Sequence, residues 1–191
     1  MRRALGAGLV TACLMGAVAC SGDGPDAVPS PTASSASPTG TATASSSPTA
    51  VAPTLPPEAA ERTAAGAEAF VRFWFEQLEY AYATGDTRQL SALSDPECRS
   101  CAELIRRVNQ TYGEGRLVRG FSVDVVSSAA PPPNDFGSEV SFQLEEAGYE
   151  TVEVDGSVVE TVAPTEPRSA VFFAKWGSGS WLAFDIAKMD P

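Results

Sequence analysis

Apolar side chains at Ala67, Phe70, Val71, Trp74, Leu78 and Ala81 recur at three- and four-residue spacing, which predicts a helix with one buried face. Phe73, Phe75, Tyr80 and Tyr82 widen that stripe, so the helix is expected to be covered on more than one side. Gly85 provides a C-terminal stop. Asp86 or Thr87 is placed to cap a short second helix running through Leu93. Ser94-Asp95-Pro96-Glu97 combines a cap, a proline for the first turn and a glutamate three residues after the serine, the signature of a third helix start. Leu104, Ile105 and Val108 supply that helix with a core face, and Gly113 ends it.

Beyond Gly113 the period changes from 3.6 to 2. Phe121, Val123 and Val125 alternate with Ser122 and Asp124, and Val140, Phe142 and Leu144 alternate with Glu139, Ser141, Gln143 and Glu145. Each run predicts a strand with one wet face. Pro131-Pro132-Pro133-Asn134-Asp135 between them is a loop, since consecutive prolines cannot join a ladder. Asp155-Gly156 predicts a two-residue hairpin turn between Val152/Val154 and Val158/Val159. Gly177-Ser178-Gly179-Ser180 predicts another, joining Ala170–Trp176 to Trp181–Ile186. Helices first, then strands linked by short turns, make an α+β fold: three N-terminal helices followed by an antiparallel sheet.

This pattern occupies residues 58–191; two other regimes precede it. Met1-Arg2-Arg3 followed by the uncharged run from Ala4 to Ala19 reads as a signal peptide, residues 1–19, too short for a comfortable membrane span. It ends Ala17-Val18-Ala19-Cys20 before a polar stretch, which resembles a bacterial lipobox. In that family the cysteine thiol, here Cys20, receives a diacylglycerol and becomes the new N-terminus. Ala17 stands where lipoboxes usually carry Leu, and Ala17-Val18-Ala19 also fits ordinary secretory cleavage. Cysteine parity favours the lipid: Cys13 leaves with the signal, Cys98 and Cys101 can pair, and Cys20 alone is left over. Residues 20–57 then form an anchor and stalk. From Ser21 to Pro57 there is no Lys, no Arg and no aromatic residue, but eight of the 15 prolines. Such a stretch has no apolar surface to offset the entropy of ordering it and is expected to stay disordered, biased toward extended polyproline II.

Charge and histidine content narrow the function. The chain carries 13 basic and 24 acidic residues and no histidine. Loss of Arg2 and Arg3 with the signal leaves 11 basic residues against 24 acidic ones, a net charge of −13. Nucleic acid is excluded as a partner by that charge. Without histidine there is no Ser-His-Asp or Cys-His nucleophile and no His-based zinc site. No cofactor and no metal-ligand set is expected.

A long aromatic first helix ending near Gly85-Asp86, a short Leu90–Leu93 helix, a third helix and then a sheet resemble the nuclear-transport-factor-2-like cone. The lipobox, the Pro/Thr/Ser stalk and the Cys98-Arg99-Ser100-Cys101 helix resemble a family of actinobacterial lipoproteins of unknown function. The resemblance implies a curved sheet wrapped around the first helix, with a possible pocket, and implies no activity, because such cones serve enzymes, binding modules and assembly domains alike.

Three sets of residues carry candidate chemistry. Cys98-x-x-Cys101 is either a structural disulfide, a redox pair at a helix N-terminus, or half a metal site. Nearby Asp95, Glu97 and Glu103 oppose a low thiol pKa, and no further soluble cysteine completes a metal set, so a structural bond is the expectation. Asp124 and Asp185 are acids within apolar strands; either, buried beside Tyr80, Tyr82 or Tyr149, would be a general-base candidate, but strand alternation sends Asp124 to solvent. Trp74, Trp176 and Trp181 either pack the core or line a pocket for a small apolar ligand. Two functions follow: a non-catalytic module, tethered to the membrane through Cys20, that binds a ligand or an envelope protein; or a small cone-fold hydrolase or isomerase. The space between first helix and sheet discriminates them.

Overall fold

A computed structural model of the chain describes residues 50–188. Cys20, the signal peptide and most of the stalk lie outside the described residues. Three helices, α1 (Ala64–Thr84), α2 (Arg88–Ala92) and α3 (Arg99–Gly113), precede seven strands. These are β1 (Leu117–Arg119), β2 (Val123–Ala129), β3 (Gly137–Glu146), β4 (Tyr149–Val152), β5 (Val158–Val162), β6 (Arg168–Gly177) and β7 (Ser180–Lys188). They form a four-stranded sheet ordered β2-β3-β6-β7 and a three-stranded sheet ordered β1-β4-β5, every neighbouring pair antiparallel.

Thr63 caps α1, its hydroxyl accepting from the Gly66 amide at 2.9 Å. Gly85 ends it in the left-handed region, φ 77°, where a side chain would be strained. All six periodic residues of α1 are buried, and so are Phe73, Phe75 and Tyr82, so the helix is covered on more than one side. Its rings interlock with the sheet: Phe172 of β6 meets Phe70, Trp74 and Phe75 edge-on at centroid distances of 6.1, 5.6 and 6.2 Å. Phe142 and Leu144 of β3 and Trp181 and Ala183 of β7 complete that core. Ahead of α1, within the span read as stalk, the buried Gln77 amide donates to the Pro53 carbonyl at 2.9 Å.

Both edges of the larger sheet are closed, as unprotected edges invite foreign strands. On β2, Arg72 donates to the Val125 carbonyl at 2.7 Å, and Glu68 accepts from the Ala130 amide at 3.2 Å and the Ser128 hydroxyl at 2.9 Å. Glu79 accepts from the Val123 amide. On β7, Ala183 exchanges backbone bonds of 2.8 Å with Leu93 and Asp95, and Ser100 accepts from the Ile186 amide at 2.9 Å.

Three local expectations need correction. The third helix begins at Arg99, not behind a Ser94 cap: Cys98 is the N-cap, its sulfur accepting from the Cys101 amide at 3.2 Å. Ser94 is engaged elsewhere, accepting from the Trp74 indole at 3.2 Å and donating to Leu90. The β4–β5 turn is centred on Val154-Asp155, with Gly156 following at φ 89° and its amide donating to the Glu153 carbonyl, so it is longer than a two-residue Asp155-Gly156 turn. Phe121 precedes β2 rather than joining it, and stacks on Tyr82 at 3.9 Å. The β6–β7 hairpin closes on Ser178-Gly179 as expected, with both residues at positive φ, 52° and 83°.

Candidate functional site

The space between α1 and the larger sheet is filled. Trp74 and Phe172 are fully buried and Trp181 is 1 % exposed, its indole donating to the Glu61 carbonyl at 2.9 Å. Trp74 and Trp181 are therefore core residues, while Trp176 packs edge-on against Trp181 at 4.8 Å and is only partly buried.

The two strand acids do not meet. Asp124 lies on β2 and Asp185 on β7, opposite edges of the sheet with two strands between them, roughly 14 Å of sheet at the usual strand spacing. Asp124 is exposed, as alternation predicts. Asp185 accepts from the Ser100 hydroxyl at 2.8 Å, and its own neighbour's amide, that of Ile186, at 2.8 Å, which makes it a fastening between α3 and β7. Among the described residues no tyrosine hydroxyl hydrogen-bonds to either. Tyr82 stacks on Phe121 and lies 5.9 Å from Tyr149; burial pushes its phenol up to about 12, where it holds its proton.

A perturbed carboxyl does exist elsewhere. Burial raises the pKa of Glu79, the Val123 amide opposes that rise, and Glu76 and Asp124 add to it. Glu79 shares one helical stripe with Glu68 and Arg72, at spacings of four and seven residues, and all three face the edge of β2. That polar stripe on an otherwise aromatic helix was its visible signal; the role it serves is edge closure.

The Cys98 and Cys101 sulfurs lie at disulfide distance, 1.99 Å. Cys98 is 1 % exposed and Cys101 fully buried, so no attacking thiolate can reach the bond in the folded state. Among the described residues no cluster of three or more His, Cys, Asp or Glu side chains is placed to hold a metal ion.

A surface cleft of about 520 Å³ lies where β3, β6 and β7 meet the Pro131–Phe136 loop. Its walls are the rings of Phe136, Phe173, Trp176 and Phe184. Glu97, Asp135 and Glu139 stand around it, with Lys175 as the one cation. Lys175 is already engaged: its ammonium lies 3.0 Å from Asp95 and 5.6 Å from the Phe184 ring centroid. The Asp95 carboxyl is held below the usual range, first by the Glu97 amide and then by Lys175. Phe136 is 87 % exposed at the tip of a loop that is nevertheless fastened. Asn134 accepts the Phe136 and Gly137 amides on its side chain at 2.9 and 3.1 Å, and Arg62 donates to the Asn134 carbonyl at 2.7 Å. Gly137 follows at φ 141°, and a Cβ there would lie 2.0 Å from the Ala174 carbonyl, so the loop enters β3 at a point only glycine fits.

The model of a family of unknown function, DUF6318, matches residues 40–186. No curated protein matches the chain in sequence. Among solved structures, the intermembrane space region of the chloroplast protein ARC6 is similar at a TM-score of 0.51 and 15% identity, covering 67% of this chain and 97% of its own. An uncharacterized cystatin-like-fold protein from Caulobacter vibrioides aligns at a TM-score of 0.41 and 12% identity, covering 65% of this chain and 88% of its own. A protein named Rd1NTF2_05 aligns at 0.36 and 15% identity, covering 64% of this chain and 99% of its own. These likenesses concern the fold alone.

Proposed function

We propose that this chain, which belongs to the DUF6318 family of unknown function, is an exported lipoprotein whose domain binds a ligand or an envelope partner without catalysing a reaction. One observation carries the proposal: the interior is packed with rings, while an aromatic cleft opens on the surface beside a fastened loop that holds Phe136 out in water. A protein gains nothing in stability from such a phenylalanine, and exposed apolar groups gathered in one place mark recognition surfaces. A carboxylate-based hydrolase or isomerase has less support, since Asp124 and Asp185 stand at opposite edges of the sheet and neither faces the cleft.

In this proposal the lipid on Cys20 is the attachment; among the described residues no helix is long and apolar enough to cross a membrane. The Cys98–Cys101 bond supports an oxidising compartment outside the cytosol. A disordered spacer ahead of residue 50 would hold the domain off the membrane, and the sheet would wrap α1 as a cone.

A photo-crosslinking amino acid placed at Phe136 and, separately, at the exposed Asp124 tests the role of the cleft in intact cells. Adducts of defined added mass, whether of a small molecule or of a protein, are expected from position 136 and none from position 124. Equal adduct patterns from both positions, or none from position 136, would refute a recognition role for the cleft.

A further inference from the structure

We infer that the cleft binds a small organic cation, one carrying an alkylammonium or quaternary ammonium group beside an apolar body. The inference rests on the cleft being a binding surface and adds the class of ligand.

Its volume, about 520 Å³, falls within the ~300–1,000 Å³ of small-molecule sites. Ring faces carry negative quadrupole charge and attract cations, and four aromatic side chains wall this space. Three carboxylates reinforce that preference. Glu97, Asp135 and Glu139 have no ion-pair partner among the described residues, so no neighbouring Arg or Lys cancels their charge at the cleft. One wall already demonstrates the arrangement: the Lys175 ammonium rests between the Asp95 carboxylate, at 3.0 Å, and the Phe184 ring, at 5.6 Å. Glu139 and Phe173, cross-strand partners on β3 and β6, together with Phe136 offer the same combination of ring and carboxylate with no ion-paired ammonium among the described residues. An anion would meet three like charges and one lysine that is already neutralised. The chain's net charge of −11 also draws cations toward the surface and repels anions.

The test uses the full chain and two probes of nearly identical shape, benzyltrimethylammonium and its uncharged isostere neopentylbenzene, followed by backbone amide shifts of Gly137, Glu139 and Lys175. A cation–π contact contributes about two- to thirty-fold in affinity. The charged probe is expected to bind at least about ten-fold tighter than the neutral one, and its affinity should fall with added salt. Phe136→Leu and Glu139→Gln should each weaken the charged probe by about two- to thirty-fold and leave the neutral probe nearly unchanged, while Asp124→Asn changes neither. If the neutral probe binds as tightly as the cation, the ligand class is wrong and the cleft stands as an apolar site. If neither probe shifts the cleft amides, both the ligand class and the binding role fail. A trilysine peptide separates the source of the cation: tighter binding than benzyltrimethylammonium would reassign the cleft to a protein segment and overturn the small-molecule inference.

Discussion

Removing the Cys98–Cys101 bond should cost this domain about 2 kcal/mol and no more than that plus the cost of a small vacancy. The bond closes a ring of four residues, Cys98 to Cys101. In the loop-entropy model such a ring restricts the unfolded chain by roughly 6 cal/mol/K, or about 2 kcal/mol at 25 °C, less than half the stabilisation of a hundred-residue loop. A suitable variant is Cys98→Ser with Cys101→Ala. The serine hydroxyl keeps the acceptor that now receives the Cys101 amide at 3.2 Å, so the cap of α3 survives. The alanine at the fully buried position 101 leaves a vacancy worth about 1 kcal/mol more. For a domain of this size the total corresponds to a fall in melting temperature of about 6–12 °C, measured by circular dichroism or calorimetry. Thiol titration supplies the second arm. With both sulfurs buried, mild reductant at 25 °C should release no free thiol from the folded protein, and should do so only once it unfolds. A variant melting within 2 °C of the parent, or thiols that appear at once while the native signal persists, would refute a structural staple at the start of α3. Prompt thiols would revive a redox role.

Two further outcomes follow from buried polar groups. The Glu79 carboxyl has a folded pKa above its unfolded one, so the native state binds more protons, and stability should rise as pH falls from neutral through that raised value toward the ordinary glutamate range. Glu79→Gln removes this slope and should be at least as stable as the parent at neutral pH; parallel melting-temperature profiles between pH 7 and 4 for the two proteins would contradict it. Ser138 is 6 % exposed and its hydroxyl has no hydrogen-bond partner among the described residues, so Ser138→Ala should raise stability by about 1 kcal/mol in chemical denaturation, whereas a loss would mean that the hydroxyl is satisfied.

Much of the fold was legible because its determinants are local. The 67-70-71-74-78-81 stripe, Gly85 and the Ser178-Gly179 turn each act within a few residues of themselves, and each appears where periodicity and turn chemistry place it. Ser94 misled because its partner is tertiary: the Trp74 indole competes for the hydroxyl that local pattern assigns to a helix cap, and Ala183 of β7 engages the backbone beside it. β1 has three residues, too few to show a period. Of the cleft only Trp176 was legible, as one of three tryptophans that would either pack the core or line a pocket. Glu97, Phe136, Phe173 and Phe184 come from four separate segments, and only the β3–β6–β7 register and the docking of the Leu93–Asp95 backbone on Ala183 bring them to one place. Asp124 and Asp185 looked comparable along the chain, and strand order alone separates them. Edge closure by Glu68, Arg72 and Glu79 was visible as a polar stripe whose purpose depended on where β2 lies.

Attachment of the domain outside the cell turns on a single sulfur, and metabolic labelling with an alkyne-bearing fatty acid tests it directly. Cells producing the parent chain should yield a labelled, membrane-associated protein, while Cys20→Ala should carry no label and escape into the medium. Equal release of both forms, or label that persists on the variant, would contradict a lipid anchor at Cys20 and with it the tethered module proposed for this chain.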